Sequence, residues 1–535
     1  MTDAVQAAAP VESETAASPN RLAILLAMAM FVLVVDTSLM NVSISAVVRD
    51  LGTTVSSVQS AIALEALVSA AFILIGSKVA DLIGRKIAYV LGLLGYAVGA
   101  ISMTLAQSIV PVIIFWAIVG GIGASLLLPS MQALIHGNFE GKAQARVYAL
   151  VGASAAIAAA VGPLIGGFIT TFLSWRLAFL GEAIIIGVVL SGLGLVKDVP
   201  YTGSRTVDAV GGILSVFGMG GIVLGILAWQ EGGEYVLGLI VVGAVAMALF
   251  ATWLVRRKRS GKAALIDPDL FRSALFRLGI SGQLLQQISL GGLMIVLPIY
   301  FQMVFGYNAL LAGLSIAPLS LSMFVIALLA GKRAGRRRPA TIIGAGFGLL
   351  AVAIASMLPI VPRADAGWQL AISLIIGGSG LGLLVSQLNN YTLSPISEER
   401  VSEAAGVNSA GGSFGLSFGL AFAGAIMLAA LATSFTNQAN ASTVLAPDEK
   451  TQVATVLEVD AQIMSDAQLN ELLADQPTEV QAEIVRINAD ARHLSLQVAL
   501  LIPLIAATLG FAVSILMRRQ PDPVSSGGAE MVVGG

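Results

Sequence analysis

Three stretches constrain this chain more than anything else in it. Residues 87–135, 278–331 and 404–447 contain no Asp, Glu, Lys or Arg. A hydrocarbon bilayer core takes about 20 apolar residues per helix, so the first two stretches can each hold two crossings. The runs are long and lack two-residue alternation, which favours helices over a barrel. The rest of the chain agrees. It is 57% hydrophobic and 11% charged, whereas soluble domains carry about 25% charge. Its mean hydropathy is +0.89. A soluble enzyme, a nucleic-acid binder and a disordered chain are all excluded on this basis. There are no cysteines, which removes disulfides, thiolate metal sites and thiol catalysis. The two histidines, His136 and His493, are too few for a histidine-rich metal centre, so neither metal nor cofactor is expected.

Fourteen apolar spans are read: 22–48, 57–80, 87–106, 109–135, 147–173, 177–196, 209–229, 235–255, 277–302, 310–331, 339–361, 367–390, 404–434 and 494–517. An even number puts both termini on one side. With the N-terminus inside, the inner face collects 23 of the 29 basic residues, as the positive-inside rule requires. The outer face has six, three of which (Lys450, Arg486 and Arg492) lie in one long loop. A plasma membrane protein with both termini cytoplasmic is the expectation. Residues 1–21 and 518–535 read as disordered cytoplasmic tails. Residues 435–493 read as an acidic helical hairpin over the outer mouth. Val453, Val456, Leu457 and Ile463, then Val480, Ile484 and Ile487, supply its near-helical spacing.

Charges inside a membrane are costly and mark function by default. Asp36 lies near the middle of the first span, roughly 18 Å from its outer edge, and Glu65 lies about 12 Å from the outer edge of the second, at 1.5 Å per residue. Asp36 has no basic residue in its span, and the only one in that of Glu65 is Lys78 at the inner end. Such a carboxyl can load a proton on one side and release it on the other, serve as counter-charge to a cationic ligand, or simply hydrogen-bond between helices. Glu182, early in the sixth span, is a third candidate, with Arg176 six residues before it as a possible ion-pair partner. The spans from residue 278 onward offer amides instead, among them Gln283, Gln287, Gln387, Asn390 and Asn408. Asn41 adds one in the first span. A polar, uncharged wall opposite an acidic one would suit a lipophilic substrate, cations included, though interhelical glue is the plainer role of any single amide. The string Gly162-Pro163-Leu164-Ile165-Gly166-Gly167 combines a helix-kinking proline with glycines that let a neighbour approach closely. No nucleotide-binding or metal-ligand motif occurs, so an ion gradient would have to supply the energy.

The chain resembles the major facilitator superfamily, specifically its fourteen-span drug:proton antiporter branch. The loop after the second span, running from Gly76 through Asp81 and Gly84 to Arg85 and Lys86, matches the superfamily's Gly-x-x-x-x-Asp-x-x-Gly-Arg-Arg/Lys signature. Asp36-Thr37-Ser38-Leu39-Met40-Asn41-Val42 is like the branch's first-helix motif. Residues 162–167 look like the antiporter motif of the fifth helix. The stretch from Tyr300 to Gly306, followed by Ala312-Gly313 and Pro318, is also typical of the branch. The resemblance implies an all-α polytopic membrane protein with two six-helix bundles, residues 22–196 and 277–517. Residues 197–276 would add two inserted helices and a cytoplasmic linker. It also implies a cytoplasmic gate at Asp81 and Arg85, and a monomer. The chain departs from the pattern in places. Ala117 stands where the fourth-helix motif has arginine, Glu65 where the branch usually has tyrosine, Glu182 where it has asparagine, and Ser45 replaces a proline. The second gating loop, residues 331–338, has no aspartate.

The expected function is proton-coupled export of hydrophobic small molecules, cationic ones among them, by alternating access. Asp36, Glu65 and Glu182 would carry the coupling. Two alternatives remain: a lipid or metabolite transporter on the same fold, and a non-transporting membrane receptor that uses residues 435–493 to bind a partner.

Overall fold

The computed structural model describes residues 18–521, apart from 199–207, 231, 232, 234, 333–336, 397–399, 447–449, 451–468, 470–472, 474 and 475. Fourteen of its helices are long and apolar enough to cross a membrane. In chain order they are α1 (Ser18–Leu51), α2 (Val55–Ile83), α3 (Arg85–Leu105), α4 (Ile109–Asn138), α5 (Gly141–Phe172), α6 (Trp175–Ser191), α7 (Ala209–Gln230) and α8 (Val236–Arg259). They continue as α9 (Ala274–Val304), α10 (Ala309–Lys332), α11 (Pro339–Ile360), α12 (Ala371–Leu393), α13 (Val401–Ala441) and α14 (Thr478–Arg518). No strand occurs among the described residues. In lipid the backbone must satisfy its own hydrogen bonds, and helices do so within each segment.

Local chemistry sets the boundaries. Thr54 and Ser273 cap α2 and α9 through bonds from the Ser57 and Phe276 amides, 3.1 and 3.4 Å long. One residue, Gly84, turns α2 into α3. Its φ of +101° is a conformation that side chains other than glycine's rarely adopt. In α4, residues Val112–Gly120 form a π-helical stretch, a wider coil often found where helices carry function.

Helices α1–α6 pack into one bundle and α9–α14 into another. The second helix of each bundle meets the fifth of the other, so α2 lies on α13 and α10 on α5. The inserted pair α7 and α8 pack together, with α7 on both α2 and α13 along one seam. At the end away from Asp81 and Arg85 the bundles are in close contact. The Gln302 amide donates to the Val42 carbonyl at 3.3 Å, and the Leu310 amide to Thr171 Oγ1 at 3.0 Å. An added Cβ on Gly167 would lie 2.6 Å from the Ala309 carbonyl oxygen, and one on Gly313 2.2 Å from that of Pro163.

The region expected as a hairpin differs in part. α13 runs on to Ala441 and α14 begins at Thr478, so both ends of residues 435–493 continue membrane helices. Val480, Ile484 and Ile487 are buried, and this packing keeps the start of α14 helical. Val453, Val456, Leu457 and Ile463 lie outside the described residues, as do residues 1–17 and 522–535 of the expected tails.

Candidate functional site: a buried carboxyl cluster beside a central cavity

Asp36 is completely buried and points into the first bundle. The Tyr96 phenol of α3 donates to its Oδ2. The Trp116 indole N–H, from the π-helical stretch of α4, lies 3.1 and 3.0 Å from its two oxygens. Glu65 on α2 and Glu182 on α6 are also buried. Both interact electrostatically with Asp36, and all three carboxyls do so with Tyr96. Four helices therefore bring three acids and a phenol together. None of the three acids forms an ion pair among the described residues, and Glu182 Oε1 has no hydrogen-bond partner there. Trp116 meets Phe179 edge-to-face at 6.3 Å, and Phe179 meets Trp175 at 6.0 Å, so aromatic rings wall the cluster.

Arg176 does not pair with Glu182 as its sequence position suggested. It forms an ion pair with Asp50 at the end of α1, and its Nη2 donates to the Ala106 carbonyl at 2.6 Å. Arg176 opens α6, where its long side chain reaches the polar rim rather than turning inward along the helix. Trp175 Nε1 donates to the same Asp50 carboxylate at 2.9 Å.

A cavity of about 240 Å³ lies between the bundles. Thr37, Ser38 and Asn41 of α1 line it, facing Gln287 of α9 and Ser320 of α10 across walls that are otherwise apolar. Successive residues on a helix point about 100° apart, so Asp36 and Thr37 face different ways. Among the described residues no acid lines this cavity, so the expected acidic wall is not seen there; Asp36 turns into the first bundle instead. Of the six amides named from sequence, Asn41 and Gln287 line the cavity. Gln283 lies one turn along α9 beside Gly412. Asn408 donates to Asn389 at 3.0 Å, Gln387 is buried elsewhere on α12, and Asn390 is exposed at that helix's end.

The glycine-rich string of α5 is squeezed on two sides. An added Cβ on Gly162 or Gly166 would lie 2.6 or 2.9 Å from Ser38 or Leu39 of α1, while Gly167 and Pro163 meet α10 as described above. At the other end, Gly76 abuts the Ser125 carbonyl of α4. Arg85 pairs with Asp81 at 3.6 Å, and Lys86 donates through its amide to Asp198 and through Nζ to the Val196 carbonyl, 3.1 and 2.7 Å away. The signature loop thus ties α2 and α3 to the segment following α6.

Tyr96 and Trp116 were not singled out from sequence. The available signal was that both are aromatic donors inside a charge-free run, and a buried donor in a membrane needs an acceptor.

The model of the Major Facilitator Superfamily matches residues 26–420. This chain belongs to that family. Among its relatives, the "Probable actinorhodin transporter" of Streptomyces coelicolor is 25% identical over 70% of this chain, and the match covers 66% of that protein's length, just under two thirds. The "Multidrug resistance protein Stp" of Mycobacterium tuberculosis is 27% identical over 76% of this chain and 75% of its own. The fold is shared with a bacterial homologue of the human lysosomal transporter Spinster, solved in an inward-facing, unoccupied conformation. That match has a TM-score of 0.63 at 14% identity and covers 95% of this chain and 100% of the other. The family match over most of the chain and its fourteen apolar helices make this chain a multi-pass membrane transporter rather than an enzyme.

Proposed function

We propose that this transporter is a proton-coupled exporter of hydrophobic small molecules, acting as a monomer by alternating access across a bacterial plasma membrane with both termini cytoplasmic. The observation that carries the reading is the cluster of Asp36, Glu65 and Glu182 around Tyr96. These are three buried acids without an ion-pair partner among the described residues. Buried carboxyls without a counter-charge mark proton or ligand sites inside a membrane. Access from the acidic side would load the cluster with protons, and access from the other side would empty it. Asp36 shares α1 with cavity-lining Thr37, Ser38 and Asn41, which gives protonation a direct mechanical route to the substrate site.

In this reading the close contact of Gly167 and Gly313 with the opposite bundle seals the outer end. Asp81, Arg85 and Lys86 brace the inner end when it closes. The test is transport in proteoliposomes under an imposed pH gradient, comparing wild type with Asp36→Asn and Glu65→Gln. Substrate-linked proton movement should fall sharply in at least one variant. Undiminished movement in both would refute the assignment.

A further inference from the structure

We propose that the cavity between the bundles takes an uncharged, hydrogen-bonding lipophile, so that exchange for protons moves net charge across the membrane. This rests on the proton-coupled reading above.

Among the described residues no Asp, Glu, Lys or Arg lines the cavity. Its volume of about 240 Å³ falls just below the range of about 300 to 1,000 Å³ usual for ligand pockets. A cation placed there would lose its hydration with no counter-charge to replace it. The nearest acid along α1, Asp36, offers none, because its carboxylate faces away and is engaged by Tyr96 and Trp116.

The polar groups of the cavity point to a different ligand. Asn41 Oδ1 on α1 and Gln287 Oε1 on α9 are buried without a hydrogen-bond partner in the described structure. Their residues come from opposite bundles and line the same space. Buried polar atoms left unsatisfied are costly, and a ligand carrying two donor hydrogens, such as a primary carboxamide or a pair of hydroxyls, would satisfy both. Such a ligand would bridge the two bodies that must move. The proton site and the cargo site then lie on different faces of α1. A neutral molecule leaving while a proton enters carries no compensating charge, so each proton brings one positive charge inward.

The test uses the full chain in liposomes with two dyes of the same body, a diethylaminocoumarin carboxamide and its trimethylammonium-terminated analogue. Wild type should bind the neutral dye at least about tenfold more tightly. With equal pH on both sides, a potential imposed with potassium and valinomycin should drive movement of the neutral dye. Gln287→Glu, which places a carboxylate in the cavity, should narrow or reverse the preference. Equal or tighter binding of the cationic dye by wild type would overturn the proposal. So would neutral-dye flux that follows a pH gradient yet ignores the potential. Flux indifferent to both gradients would instead refute proton coupling, and with it the charge movement, while a retained tenfold preference would still support the neutral cavity.

Discussion

The indole N–H of Trp116 is 3.1 and 3.0 Å from the two carboxylate oxygens of Asp36, and it reaches them from a π-helical stretch beside Ala117. The bond joins α4 to α1 at the centre of the acid cluster. Trp116→Phe keeps a ring against Phe179 but removes the donor. Losing a buried bond to a polar acceptor costs about 1–3 kcal/mol. Proton-driven export in energised vesicles should fall by about tenfold, with binding of the transported probe within about twofold of wild type. Unchanged export would show that the bond plays no part in coupling.

How much of this was legible beforehand depended on the kind of question asked. The charge-free runs located the helices well: 109–135 became Ile109–Asn138, and both inserted spans are long helices. The glycines of α5 could be read as close-approach points because a missing side chain has the same meaning whichever neighbour arrives. The carboxyl cluster was legible as three candidates, but its members' facing was not. Which side of α1 turns toward the cavity depends on how that helix is rotated against α3 and α4, and nothing in the local order of residues 36–41 states this. Arg176 illustrates the same limit. Its partner Asp50 is distant in sequence and close only because the rim of the bundle brings the end of α1 to the start of α6.

The approach of Gly313 to the Pro163 carbonyl leaves no room for a methyl group, since an added Cβ would sit 2.2 Å from that oxygen. Gly313→Ala must push α10 away from α5, at a cost of about 1–3 kcal/mol for overpacking. The closed contact at this end should open more often. Because the chain has no cysteine, Thr171→Cys supplies a single reporter beside Leu310. Its labelling by a membrane-impermeant maleimide should rise at least about fivefold when Gly313→Ala is added. No change in rate would mean that the contact does not limit opening.

Asp208, just before α7, is nearly fully buried and heavily committed. It accepts from the Gly211 amide and Trp253 Nε1, each at 3.0 Å, and from the Leu265 amide at 3.1 Å, and Arg257 lies 3.6 Å away. One carboxylate thus joins both inserted helices to the linker that follows them. Asp208→Ala leaves the nearby cation and donors without their acceptor and should destabilise by about 3–5 kcal/mol. Asp208→Asn, which retains a carbonyl acceptor, should lose less. Thermal unfolding in detergent would rank the two against wild type, and equal midpoints for all three would refute this role.

The linker continues into a charge clasp that makes stability depend on pH. Asp267 receives Lys258 Nζ, bonds the Asp269 amide at 2.9 Å and pairs with Arg400 at 3.0 Å, while its own amide donates to Glu403 at 2.6 Å. Burial alone would raise the Asp267 carboxyl, but the Lys258 and Asp269 hydrogen bonds and the Arg400 and Lys258 charges outweigh it and hold the group below its ordinary 3.8. A depressed carboxyl stabilises the fold above its unfolded value and loses that contribution as pH falls through the folded one. The group is partly exposed and screened by solvent, so its worth is about 0.5–1 kcal/mol. Wild type should therefore unfold at a higher temperature than Asp267→Asn at pH 7, and the gap should close as the pH drops below 3.8. Raising the salt from 0.1 to about 1 M shortens the screening length from about 10 to 3 Å and should narrow the gap at neutral pH as well. A gap that persists unchanged through both titrations would mean that Asp267 acts through packing rather than charge.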